Sequence, residues 1–183
     1  MKTMNLRRFT LILLSAIFFI SGCGYTTKSL LPSNLKTIYV SNLVNKIGVT
    51  EEASDVRMYR GYKPGMELEI TRTIRDKYLR DGNLKIAGPE TADLILTGSL
   101  VDFRNEALRY SRDNDVEEYR VRLVVNLEMK NAKDDTVRWT ENNFAGESLY
   151  RTSGTLAKSE TTAIKEAADD LARRVVERTI EEW

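Results

Sequence analysis

Histidine is absent from this 183-residue chain, cysteine occurs once, at position 23, and no acidic residue precedes that cysteine. Each absence removes a class of chemistry. Without imidazole there is no ordinary general base near neutral pH. With one thiol there is no internal disulfide, and no Cys/His set for zinc or haem. An enzyme built from this chain would have to work with carboxylates, lysines or serines alone. A membrane-spanning run is missing too. The most apolar stretch, Phe9 through Ile20, is roughly 12 residues, or about 18 Å of helix at ~1.5 Å per residue, against a hydrocarbon core near 30 Å. The formal net charge is +1 and becomes −2 once residues 1–22 are set aside, so nothing in the charge balance points to nucleic acid.

What the N-terminus does hold is a leader. Lys2, Arg7 and Arg8 precede the apolar run, and the small residues Ser21 and Gly22 lead directly to Cys23. That order fits a secretory signal, with small side chains where a peptidase needs an extended, unbranched approach. The run Ile20-Ser21-Gly22-Cys23 resembles the bacterial lipobox, in which the thiol is acylated and becomes the first residue of the mature chain. A covalent lipid on Cys23 is then the only prosthetic group expected, with no cofactor or metal. Three acyl chains, at ~0.8 kcal/mol per buried methylene, hold a protein on a membrane far more firmly than one. Gly24 stands where an aspartate commonly retains such proteins on the inner membrane, so the expected location is the periplasmic side of the cell outer membrane. The expected organisation is a signal peptide over 1–22, a lipidated tether over 23–34 and one domain over 35–183.

Beyond the tether the pattern alternates between β and α. Leu35 to Leu43 is β-rich and predicts a first strand of about five or six residues. The polar stretch Asn45 to Tyr62 carries no clear structural signal. Pro64-Gly65-Met66-Glu67 opens a helix in which Met66, Ile70, Ile74 and Tyr78 recur at one face with Leu79 alongside, and Asp81-Gly82-Asn83 closes it. A short strand at Leu84-Lys85-Ile86 precedes a long one from Leu94 to Phe103 that reaches toward Tyr110. Ser111 to Asp115 reads as a hairpin turn.

In the strand that follows, Tyr119, Val121, Leu123, Val125, Leu127 and Met129 share one face, while Arg120, Arg122, Asn126, Glu128 and Lys130 share the other. Asn131 to Asp135 turns the chain into a last strand through Trp139 and Phe144, whose opposite parity predicts a bulge near Asn142-Asn143. A long helix from about Ala157 to Glu182 presents Ile164, Ala168, Leu171, Val175 and Thr179 on one side. Ala167, Ala172, Val176 and Ile180 broaden that stripe, and the alanines allow close approach to a sheet. The predicted fold is α+β: a two-layer sandwich of two amphipathic helices on one mixed sheet of about four strands, in the order β-α-β-β-β-β-α.

Carboxylates are abundant, as in Glu117-Glu118, Asp134-Asp135, Asp169-Asp170 and Glu181-Glu182. They fall at turns or on polar faces, which is where solvated acids belong. If a carboxylate-only hydrolase were present, Asp102, Glu106 and Glu141 would be the residues to replace.

Several phrases together resemble the LptE family of outer-membrane lipoproteins. They are Cys23-Gly24-Tyr25, Leu35-Lys36-Thr37-Ile38-Tyr39-Val40, Arg80-Asp81-Gly82-Asn83-Leu84, Ala92-Asp93-Leu94-Ile95-Leu96-Thr97-Gly98 and Asp170-Leu171-Ala172-Arg173-Arg174-Val175-Val176-Glu177. The resemblance implies a non-enzymatic role: binding and plugging the large outer-membrane β-barrel LptD, and contacting lipopolysaccharide on its way to the cell surface. Barrel lumens are polar, so a plug should carry charge on its outside. Arg120, Arg122 and Lys130, on the non-core side of the clearest strand, are the residues expected to meet the barrel or lipopolysaccharide phosphates. The expected partners are an LptD-like barrel, lipopolysaccharide, and the inner leaflet of the outer membrane through the lipid, with no nucleic acid. Similar small lipoproteins also regulate peptidoglycan synthases, and that is the competing expectation.

Overall fold

In the computed structural model, which describes residues 31–47, 58–59 and 63–181, both helices lie on the same face of one mixed sheet. The leader, Cys23, most of the tether and most of the Asn45–Tyr62 stretch lie outside the described residues. The strands are β1 (Thr37–Val40), β2 (Val44–Asn45), β3 (Met58–Tyr59), β4 (Lys85–Ile86), β5 (Leu94–Tyr110), β6 (Val116–Asn131) and β7 (Val137–Arg151). The helices are α1 (Met66–Asp81) and α2 (Glu160–Glu181). The sheet runs β4-β1-β5-β6-β7, with β2 and β3 continuing along the β1 edge of β5. Seven strands therefore stand where about four were expected. The predicted short strand at Leu84-Lys85-Ile86 is β4, whereas β2 and β3, two residues each, leave no periodicity to read.

The antiparallel hairpins β5–β6 and β6–β7 dominate the sheet, and their turns fall where the polar residues predict. Asn114 and Asp135 take positive φ values of 67° and 55° within the two turns, a conformation that Asn and Asp tolerate. β1, α1 and β4 form a crossover unit that adds two parallel strands at the other side. Gly82, at φ 80°, caps α1 by donating its N–H to the Tyr78 carbonyl.

The expected faces of α1 and β6 are observed. Met66, Ile70, Ile74 and Tyr78 are buried, as are Val121, Leu123, Val125, Leu127 and Met129, with Tyr119 half-buried. Leu79 departs from expectation. It is 62% exposed, because a residue next to Tyr78 is turned about a quarter-circle away from the buried line. α2 begins at Glu160 rather than near Ala157. Ser159 caps it by accepting the Thr162 N–H at 3.1 Å, while Ala157 bridges to Arg151.

Packing starts slightly before residue 35, since Leu31 lies against the core. β1 is four residues rather than five or six, and past the end of β4 its Val40 carbonyl receives Arg75 of α1, at 2.6 Å from Nη2.

α2 approaches the sheet as its alanines predict, and Gly146 of β7 completes the fit. A Cβ at Gly146 would stand 2.4 Å from the Ala167 carbonyl and 2.5 Å from Leu171 Cβ. The two helices run parallel: Lys63 pairs with Glu160 at their starts, and Tyr78 meets Thr179 near their ends.

Two irregularities keep apolar side chains on the helix face. Asn142 and Asn143 together oppose Asn126, the bulge that Trp139 and Phe144 predict. Asn143 sits at φ 55°, and its N–H donates to Asn126 Oδ1 at 2.9 Å. Val101 is an extra residue in β5, so Leu100 and Phe103 both reach the core despite opposite parity.

Candidate interaction surface

The sheet face away from the helices is a polar grid whose rows follow from strand register. Across β5, β6 and β7 the rows read Thr97–Glu128–Thr140, then Asp102–Val124–Ala145, then Arg104–Arg122–Glu147, then Glu106–Arg120–Leu149. Alternation in β6 places the cations here because the opposite parity is spent on the core.

The charges on this face are paired with one another. Arg120 donates to Glu106 from Nη2 at 2.7 Å and from Nε at 3.2 Å. The Glu106 hydrogen bond is the main reason that the Arg120 guanidinium is held above its ordinary pKa. Arg104 bonds to Asp102 at 2.6 Å and reaches Glu106 at 3.9 Å. Arg122 Nε lies 3.0 Å from Glu147 Oε1, within ion-pair range but too poorly aligned for a hydrogen bond. Lys130 pairs with Glu128 at 3.1 Å on the same strand. Arg120, Arg122 and Lys130 therefore share the predicted face, and each is engaged with a carboxylate. Arg104, which sequence reasoning missed, belongs with them; after the Val101 bulge it shares the parity of Asp102 and Glu106, which was the available signal.

Between these charges and the β2 edge, short side chains leave a shallow hollow of about 310 Å³. Thr97, Ser99, Asn126, Thr140 and Asn142 line it with hydroxyls and amides, and Lys46 and Glu128 flank them.

The hydrolase residues do not converge. Asp102 and Glu106 sit in the open-face ion pairs, while Glu141 is on the helix side, bonded to Arg178 at 2.7 Å. A second polar cluster, Ser148, Lys158 and Glu166, lies near the start of α2. Ser148 Oγ donates to Glu166 at 2.6 Å, and Lys158 pairs with the same carboxylate. The Lys158 hydrogen bond is the leading cause that holds the Glu166 carboxyl below its ordinary range. The cluster ties α2 to β7.

Two of the family-like phrases meet in space. Asp93 Oδ2 accepts from the Lys36 N–H at 3.0 Å, the Thr37 N–H at 3.1 Å and the Thr37 hydroxyl at 2.8 Å. These bonds, the Lys36 N–H foremost, keep the Asp93 carboxyl below its ordinary range. The aspartate thereby fastens β1 to the head of β5.

Among the described residues no helix is long and apolar enough to cross a membrane. Residues 35–179 match the family LptE, lipopolysaccharide-assembly. The chain is also similar to solved structures. A minor lipoprotein from Acinetobacter baumannii is 12% identical with a TM-score of 0.50, the match covering 79% of this chain and 91% of that one. The rare lipoprotein B from Shewanella oneidensis is 16% identical with a TM-score of 0.43, covering 77% and 92%. A lipoprotein B from Nitrosomonas europaea is 16% identical with a TM-score of 0.45, covering 81% and 86%. No curated protein matches the sequence.

Proposed function

The chain belongs to the LptE lipopolysaccharide-assembly family, and on that premise we propose that it is an outer-membrane lipoprotein that plugs and scaffolds an LptD-like β-barrel. Cys23 carries the lipid in this reading and holds the domain to the inner leaflet from the periplasmic side. The domain serves by binding and positioning, not by catalysis.

The observation that carries the reading is the open sheet face. A soluble protein entering a barrel lumen must exchange water for polar walls. Isolated charges make that exchange costly, since each loses hydration without a fixed partner. Here Arg104, Arg120 and Arg122 already meet Asp102, Glu106 and Glu147, so a polar wall can approach without stranding a charge. Beside them, toward β2, lies a hollow whose hydroxyls and amides can donate or accept.

Arg120, Arg122 and Lys130 contact the barrel as members of ion pairs. A lipopolysaccharide phosphate reaching this face competes with Glu106, Glu147 and Glu128 for them. The testing experiment is depletion of the protein followed by measurement of surface lipopolysaccharide. Loss of lipopolysaccharide from the surface is the expected result. Normal lipopolysaccharide with altered wall synthesis would overturn the proposal in favour of a peptidoglycan-synthase regulator.

A further inference from the structure

β7 is the long edge of the sheet, fifteen residues with β6 on one side and no strand among the described residues on the other. Such an edge offers backbone donors and acceptors to any strand, and a second copy of the same edge is always available. The opposite edge, β4, is two residues long and offers little.

Side chains of α2 reach over the middle of the β7 edge and occupy its backbone groups. Arg174 donates from Nη1 to the Ala145 carbonyl. The Glu147 N–H donates to Asp170 Oδ2 at 3.2 Å, and Arg173 steadies Asp170 through Oδ1 at 2.6 Å. The Arg174 guanidinium also lies 5.1 Å from the centre of the Phe144 ring. Toward the end of the strand, the Lys158 N–H takes the Arg151 carbonyl at 3.2 Å. Toward its start, the Asn142-Asn143 bulge breaks the regular spacing that a partner strand would need.

Packing alone does not require these contacts. The buried stripe of α2 is made of alanine, leucine, valine, Ile164 and Thr179, whereas Arg173 and Arg174 are exposed and add no core. Ala145 and Glu147 are two apart, so by strand alternation their backbone groups point the same way, outward, and α2 takes one acceptor and one donor there.

We propose that Asp170 and Arg174 guard the β7 edge against strand addition, and that the partner they exclude is a second copy of this chain, paired edge to edge. This inference is independent of the barrel reading. A sheet closed at this edge keeps the chain monomeric and leaves the open face as its free surface.

The test is sedimentation of the full chain in detergent over a wide concentration range, for wild type, Asp170→Ala/Arg174→Ala and the conservative Asp170→Asn/Arg174→Lys. Wild type and the conservative pair should stay monomeric. The alanine pair should form dimers with association strengthened about tenfold or more, equivalent to ~1.4 kcal/mol. A folded alanine pair that sediments as a monomer throughout overturns the proposal. Hydrogen exchange on wild type gives a second measurement that needs no variant: the Glu147 amide should be protected, and exchange at the rate of a free amide would also overturn it.

Discussion

Asp93, at the head of β5, accepts both the N–H and the hydroxyl of Thr37 in β1, a residue 56 positions earlier. Its carboxylate thus joins two stretches that local propensity alone would leave independent. Asp93→Ala should lower stability by about 2 kcal/mol, the scale of charge-assisted hydrogen bonds lost from a partly buried site. The folded-state pKa is depressed, so the stabilisation is present above the unfolded value near 3.9 and disappears as pH falls through the folded value. Denaturant titrations at neutral pH and below pH ~3 should show the difference between wild type and variant shrinking in acid.

Gly146 should tolerate no side chain. Gly146→Ala brings a Cβ within 2.6 Å of the Leu171 backbone nitrogen as well as the Ala167 carbonyl, so α2 must move. Overpacking of this kind costs roughly 1–3 kcal/mol, and contact with backbone puts the variant at or above the upper end. Thermal unfolding followed by circular dichroism measures it.

Tyr78 and Thr179 join the helices through a buried hydroxyl pair at 2.6 Å. Thr179 already donates to the Val175 carbonyl, so Tyr78 is the donor between them. Tyr78→Phe should cost about 1–2 kcal/mol, since Thr179 loses that bond in a buried site. Burial raises the Tyr78 pKa above its ordinary value of 10.0. The neutral phenol therefore stabilises the fold fully below pH ~10, and that contribution is lost as pH rises through the folded value. An alkaline unfolding series should show the wild type losing its advantage over Tyr78→Phe above pH ~10.

On the open face, Arg120→Glu should separate binding from folding. The substitution sets a second carboxylate against Glu106, whose side chain is only 14% exposed, and should cost roughly 1–3 kcal/mol, so recovery is compared under conditions where circular dichroism shows the variant folded. Recovery of the outer-membrane partner should fall severalfold. Equal recovery would show that this face does not meet the partner.

The fold was legible wherever one periodicity persisted over many residues. β6 alternates from Tyr119 to Met129, and α2 repeats its apolar line from Ile164 to Thr179, so the element type and the buried face followed directly. The Trp139–Phe144 parity conflict exposed the Asn142-Asn143 bulge. The comparable change from Leu100 to Phe103 carried the same information about Val101. β2 and β3 escaped because two residues have no period, and they exist only through their pairing with β5; β4, equally short, was legible from its β-forming residues between Gly82 and the Gly88-Pro89 breaker. The open-face cations were legible as a face but not as pairs, since the Arg120–Glu106 and Arg122–Glu147 contacts depend on cross-strand register. The Arg174–Ala145 contact lay further still from the sequence, because it depends on where α2 overhangs an edge.

Cys23→Ala should abolish acyl labelling of the chain. The domain should still unfold as wild type does, because the anchor sets location and leaves the core unchanged. Lipid incorporation into this variant would contradict the lipobox assignment.

The most direct measurement is affinity isolation of the native, lipidated protein from outer membranes, with its stoichiometric partners identified by mass spectrometry. The account predicts one large β-barrel recovered in a one-to-one complex. Recovery of only soluble partners, or of a peptidoglycan synthase without a barrel, would contradict it.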